Sequence, residues 1–178
     1  VVARVQMSKR VSLGYGNLDD VELVGRAFGY DIYFDSDEST YNTVWVYDRN
    51  ATRRFRNYDG DMETRYRIAA SIDLTKERCG WHVDLLKVDN RYKGKNLALK
   101  IYKFLMRKMN ITLMAGSSQS AGGQYVWNKL AKTSGVVVYA KKSPYSKVVD
   151  FPKAGKRELA SELFDLYDSR AEMFAVAV

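Results

Sequence analysis

Hydrophobic and polar positions divide the 178-residue chain into a first half patterned for strands and a second half in which strand and helix periods alternate. Val1–Met7 reads as a strand, and Leu18–Phe28 as a short helix that Asn17 or Asp19 caps and Gly29 ends. Tyr30–Phe34 and Thr43–Tyr47 alternate or carry β-branched and aromatic residues, which predicts strands. Arg49–Asp61 is polar, holds Asn57 and the turn pair Asp59-Gly60, and is expected to be a loop or hairpin connection. Thr64–Leu74 and Gly80–Val88 are the next strands, joined by Thr75–Arg78. A period of two puts Trp81, Val83 and Leu85 on one face of the second strand, and His82, Asp84, Leu86 and Val88 on the other. That other face is half polar, which is unusual for a strand covered on both sides.

After Gly94 the spacing becomes helical and runs to about Met109, with Leu97, Ala98, Ile101, Leu105 and Met109 inward and Asn96, Lys100, Lys103 and Arg107 outward. Ile111–Ala115 then reads as a short buried strand, Gly116–Gly123 as a loop, Gln124–Ala131 as a helix and Val136–Lys141 as a strand. Helical spacing returns at Leu159, Leu163 and Leu166, and Met173–Val178 adds a final strand. The order is a run of antiparallel strands, then strand, helix, strand, helix, strand: a single α/β (α+β) domain over residues 1–178. Crossovers through helices make their flanking strands parallel and bring a helix N-terminus to the sheet edge.

Composition narrows the function classes. A hydrophobic share of 46% with only two prolines predicts a packed globule that needs no staple. The single cysteine, Cys79, excludes an intrachain disulfide and a paired-Cys zinc site, so no metal is expected and a reducing compartment fits. Cys79 lies near His82, but no oxyanion-forming glycine turn follows it, which argues against a nucleophile. No run of 18 apolar residues occurs, and the first twenty positions lack the apolar core of a signal peptide, so a cytoplasmic protein without membrane contact is expected. Net charge is +8, and residues 61–120 hold 12 basic against 6 acidic side chains. That excess suits a phosphate-bearing ligand or nucleic acid; a solvated lysine-rich face is the plainer account.

The excess centres on Val88-Asp-Asn-Arg91-Tyr-Lys93-Gly94-Lys95-Asn96-Leu97, where a strand enters a helix through a basic, proline-free turn. A helix N-terminus carries unsatisfied N–H groups and the positive end of the helix dipole, so a glycine there admits an anion close to backbone. In this context the stretch resembles the acyl-CoA-binding motif of the GCN5-related N-acetyltransferase (GNAT) superfamily: a strand ending in Val, then Arg or Gln, two residues, Gly, one residue, and Gly or Ala. Arg91 and Gly94 match, and Asn96 stands at the last small position. Downstream, Ser120, Gly123 and Trp127 correspond to the family's Asn, Ala and Tyr, so the tyrosine is replaced. The resemblance covers roughly residues 64–140.

The resemblance implies a mixed, largely antiparallel sheet with a splayed parallel central pair and helices on both faces. It implies acetyl-CoA or another acyl-CoA as co-substrate, its pantetheine arm between the splayed strands and its diphosphate on the N–H groups of Lys93–Leu97. Leu86, Val88, Arg91, Lys93, Gly94, Lys95, Asn96, Leu97, Ser120, Gly123 and Trp127 are then cofactor-binding, and the N–H near Val88 is the oxyanion donor. His82 and Asp84 supply the base, unless they are two incidental polar residues on a half-exposed strand. Trp127 cannot act as acid, so Tyr125 or Tyr139 is the candidate. The acceptor is a primary amine on an unidentified small molecule or protein. Chains of this look also resemble acetyltransferase-like proteins of bacteriophages, which implies a bacterial or phage-infected host cell.

Two rivals keep the fold. In one the chemistry is lost, and Arg53-Arg54-Phe55-Arg56 with the Lys100, Lys103, Arg107 stripe serves nucleic acid or an acidic protein. In the other, a GNAT-like enzyme acts on nucleic-acid bases.

Overall fold

The computed structural model describes residues 12–16, 18, 21–36, 41–78, 80–115, 121–141 and 172–178. Their strands form one sheet: β1 (Tyr15–Gly16), β2 (Glu22–Ala27), β3 (Tyr30–Ser36), β4 (Tyr41–Arg56), β5 (Met62–Glu77), β6 (Gly80–Val88), β7 (Leu113–Met114), β8 (Val136–Lys141) and β9 (Glu172–Ala177). The spatial order is β2-β3-β4-β5-β6-β7-β9-β8, with β1 against β5. Every described pairing is antiparallel except that of β6 with β7. The fold is therefore mixed α/β, with a mostly antiparallel sheet and two described helices, α1 (Leu97–Lys108) and α2 (Ala121–Ala131). Neither helix is long and apolar enough to cross a membrane.

Strand alternation builds a core on each side of the sheet. Val44 and Val46 face Ile72 and Ala70 across the β4–β5 ladder, and with Leu74, Val83 and Ala175 they form the floor of the main core. Leu97, Ile101, Tyr102, Leu105 and Met106 of α1 and Val126, Trp127 and Leu130 of α2 complete that same core. Both described helices thus lie on one face, and the helix expected on the other is not among the described residues. There Tyr33, Tyr47 and Ile68 are buried under Leu13, Leu18 and Val21.

Several expectations need correction. Leu18–Phe28 is not a helix: Glu22–Ala27 is strand β2, paired with β3 and crossed by Phe104 of α1, which comes within 3.0 Å of where a side chain at Gly25 would begin. Tertiary pairing overrides the weak helical spacing there. Arg49–Asp61 is not a loop as a whole, since β4 runs to Arg56 and only Asn57–Asp61 turns. Thr75–Glu77 likewise belong to β5, and Gly122 and Gly123 are helical. The strand over Ile111–Ala115 shrinks to Leu113–Met114. The inward stripe of α1 uses Tyr102 and Met106 in addition to Leu97, Ile101 and Leu105. Val1–Met7, Cys79, Ser120 and the helix over Leu159–Leu166 lie outside the described residues.

Strand β6 has the predicted bounds but not the predicted faces. Its register on β5 slips between Leu74↔Val83 and Asp73↔Leu85, so Asp84 is the extra residue of a β-bulge. Beyond it the phase reverses: Val83, Leu86 and Val88 lie opposite Leu74, Ile72 and Ala70 on the helix side, and Leu85 and Lys87 turn to the other.

Candidate functional site

The parallel pairing of β6 with β7 consists of Trp81↔Leu113 and His82↔Met114. At its start Trp81 N–H donates to the Thr112 carbonyl at 2.8 Å, an approach that Gly80 permits, because a side chain there would begin 2.7 Å from the same oxygen. After His82 the two strands share no further ladder pair, and the outer edge of Val83–Val88 borders a cleft of about 460 Å³. One wall is Val83–Leu86 and Val88; another is the mouth of α1, from Lys93 and Gly94 to Leu99; the third is α2, from Gly122 to Lys129. This volume lies within the range of small-molecule sites, and the walls combine apolar side chains with few polar groups.

The turn at the mouth is built from Asp89. Its buried carboxylate accepts from Arg91 N–H at 3.0 Å through Oδ1 and from Leu13 N–H at 3.0 Å through Oδ2, with the Arg67 guanidinium 3.9 Å away. This caps a 3-10 turn over Asn90–Tyr92 and ties it to the N-terminal segment. Tyr92 then points inward, where its hydroxyl donates to Asp48 at 2.8 Å. Burial, and next the bond to Asp48, push the Tyr92 phenol well above its usual range, and burial does the same to Tyr102.

Gly94 has φ +79° and open space where a side chain would stand. Asn96 follows at φ 54°, ψ 30°, a left-handed conformation that asparagine tolerates best after glycine. The place where the GNAT motif has a small residue is thus one that demands Gly or Asn. Asn96 makes no side-chain cap on α1, so the first amides of the helix are not closed off by their own N-cap. Its Oδ1 instead accepts from Lys129 Nζ at 2.8 Å, across the cleft from α2. Lys129 Nζ also lies 4.6 Å from the centre of the Tyr125 ring.

At the bulge, Asp84 faces the cleft margin and is held from two sides. Thr75 Oγ1 donates to Asp84 Oδ2 at 2.6 Å, and His82 Nδ1 lies 2.8 Å from Asp84 Oδ1. A carboxylate only accepts, so His82 donates through Nδ1.

Of the candidates, Leu86, Val88, Lys93, Gly94, Asn96, Leu97, Gly123, Trp127, Asp84 and Tyr125 line the cleft. His82 joins them only through Asp84. Arg91 and Lys95 do not line it; Lys95 Nζ sits 5.4 Å from the Tyr92 ring centre. Trp127 is buried against Tyr102, at 6.3 Å between centroids, and so forms the floor. Tyr139 stacks on Phe174 at 5.2 Å and does not line the cleft. Sequence reasoning missed Lys129, although its four-residue spacing from Tyr125 put both on one helix face. It also missed Asp89, despite the turn-forming Asp-Asn pair that marks it.

Comparison of the chain with family models, with curated proteins and with solved structures gave no match.

Proposed function

We propose that the protein is an acyl-CoA-dependent N-acyltransferase of GNAT-like layout that transfers an acyl group, acetyl by preference, to a primary amine. The observation that carries this reading is the cleft where β6 and β7 stop pairing, because the uncapped mouth of α1 opens into it. The fit to an acyl-CoA is chemical. Gly94 leaves room for a diphosphate to meet the amides up to Leu97, and Lys93 and Lys129 add positive charge at the same wall. Val83, Leu86 and Val88 offer an apolar wall and an unpaired strand edge to a pantetheine arm, whose amides need such partners. The thioester, when bound, supplies an activated acyl carbon with a thiolate leaving group.

The chain's own groups account for the proton traffic. Asp84, at the cleft margin, takes a proton from the acceptor's ammonium group, directly or through one water, so that the nitrogen can attack. Thr75 and His82 hold its carboxylate in place and are positioning residues. N–H groups on the outer edge of β6 stabilise the oxyanion as the carbon–nitrogen bond forms. The Tyr125 hydroxyl returns a proton to sulfur as the carbon–sulfur bond breaks. The nitrogen gives up its second proton to the Tyr125 phenolate as the amide forms, and Asp84 releases the first to solvent, so the protons balance; no metal or redox partner enters the scheme.

Thermal unfolding with acetyl-CoA, CoA and a short oligonucleotide tests this. A ligand at about 100 times its dissociation constant stabilises by about 2.7 kcal/mol, a rise in Tm of roughly 5–10 °C for a chain of this size. Acetyl-CoA and CoA are expected to give it and Gly94→Glu to abolish it, with the far-UV spectrum retained. No rise with either nucleotide ends the enzyme reading.

A further inference from the structure

Past the register shift between Asp48 and Thr52, β4 and β5 continue as a two-stranded ribbon, Thr52–Arg56 against Met62–Tyr66, closed by the turn at Asn57–Asp61. Its two faces differ. On one, Arg53 and Arg65 place their guanidinium carbons 5.5 and 4.9 Å from the Phe55 ring centre, Tyr15 lies 5.7 Å from the same ring, and Arg65 is bonded to Glu63. That face is satisfied internally and stiffens the ribbon. The other presents Thr52, Arg54, Arg56, Met62 and Thr64, all exposed, beside the half-buried Tyr66, with no carboxylate among them. Neither Arg54 nor Arg56 forms an ion pair among the described residues. Asp59 and Asp61 sit at the turn, off this face, so an anionic partner is met by the flat of the ribbon and not by its tip.

We propose that this face binds duplex DNA by lying in the major groove. A groove about 12 Å wide admits a two-stranded ribbon, and five residue pairs extend for about 17 Å along it. Two guanidinium forks and two threonine hydroxyls on one face can reach phosphates and base edges, the usual partners of both groups. Single-stranded nucleic acid is disfavoured because it needs free aromatic faces along its path. Phe55 is enclosed on the opposite face by two guanidinium groups and a tyrosine, Tyr66 packs against the Tyr33, Tyr47 and Ile68 cluster, and the exposed Tyr58 stands at the turn, off the flat of the ribbon. Double-stranded RNA is disfavoured because its major groove is too narrow and deep for side chains to read. The inference does not depend on acyl transfer.

Fluorescence anisotropy of the full chain with a labelled 20-base-pair DNA duplex tests it, using duplex RNA and single-stranded DNA of the same sequence and a polyglutamate peptide as comparators. A dissociation constant of roughly 1–100 µM at physiological salt is expected for the DNA duplex. Affinity should fall roughly tenfold in Arg54→Ser/Arg56→Ser, with the salt slope about 1.8 shallower. The Tm of that variant and its response to acetyl-CoA should match those of the parent. Arg54→Lys/Arg56→Lys should restore the salt slope and only part of the affinity, since charge returns without the planar fork. The proposal is overturned by equal binding of RNA, single strands or polyglutamate, by no binding at low salt, or by a double-serine variant that binds like the parent.

Discussion

The mouth of α1 and the β4–β5 ribbon are both short basic stretches around an aromatic residue, Arg91-Tyr92-Lys93 in one and Arg53-Arg54-Phe55-Arg56 in the other, yet they make opposite surfaces. At the mouth the aromatic ring turns inward to Asp48, the backbone adopts left-handed angles at Gly94 and Asn96, and the surface is concave. In the ribbon the backbone stays extended, the ring lies on the strand face between arginines, and the opposite face is exposed and free of carboxylates. A basic motif therefore says that an anion is welcome, whereas backbone geometry decides whether a small ligand or a polymer fits. Arg67 and Asp89 join the two regions at the base, 3.9 Å apart and both buried.

Asp84→Asn gives the sharpest separation of the two regions. Loss of the base should lower kcat by about 10²–10⁴ with any accepted amine, while acetyl-CoA affinity and DNA affinity stay within a factor of about two. Steady-state kinetics beside anisotropy check this, and an unchanged kcat would remove Asp84 from the chemistry. Asp89→Ala attacks the shared base. It leaves the Arg67 guanidinium buried without its carboxylate and frees the Arg91 and Leu13 amides, a loss of about 3–5 kcal/mol in urea unfolding that should weaken both activities together.

Lys129→Ala is confined to the cleft. Removing one cation and its bond to Asn96 should weaken acetyl-CoA binding by roughly tenfold, measured by calorimetry, and should not alter the anisotropy titration with DNA. The smallest effect is one of pH. Burial raises the Tyr47 phenol to about 12 and Tyr92 and Tyr102 further, so the folded state holds these protons more tightly than the unfolded chain. Their contribution is complete below pH 10 and is lost as pH rises from there through the folded values. Urea midpoints between pH 8 and 11 should decline only at the upper end, and Tyr92→Phe should soften the decline.

How much was legible in the sequence follows the same division. Strand β6 and helix α1 could be read because a short run rich in apolar and β-branched residues gives way to a period of 3.6 past a glycine. The cleft residues Leu86, Val88, Gly94, Asn96 and Leu97 followed from that junction. The bulge at Asp84 was not legible, because one extra residue leaves no mark on composition and shows only as a register against β5. The ribbon looked like a loop because exposed strands carry no hydrophobic alternation, and their ladder was the missing information. Strand β2 was read as a helix for a related reason: its Leu23, Val24 and Ala27 spacing suits either period, and pairing to β3 decided it.

The slip at Asp84 also explains how one strand keeps an unbroken apolar side toward the helices. Without it, plain alternation would put Leu86 and Val88 on the side of His82 and turn Lys87 toward the helices. With it, Trp81, Val83, Leu86 and Val88 all face the helices, His82, Leu85 and Lys87 face away, and the Asp84 carboxylate meets the imidazole at the break. Removing that one residue would leave the apolar side in phase and take away only the carboxylate that stands out of step with the ladder.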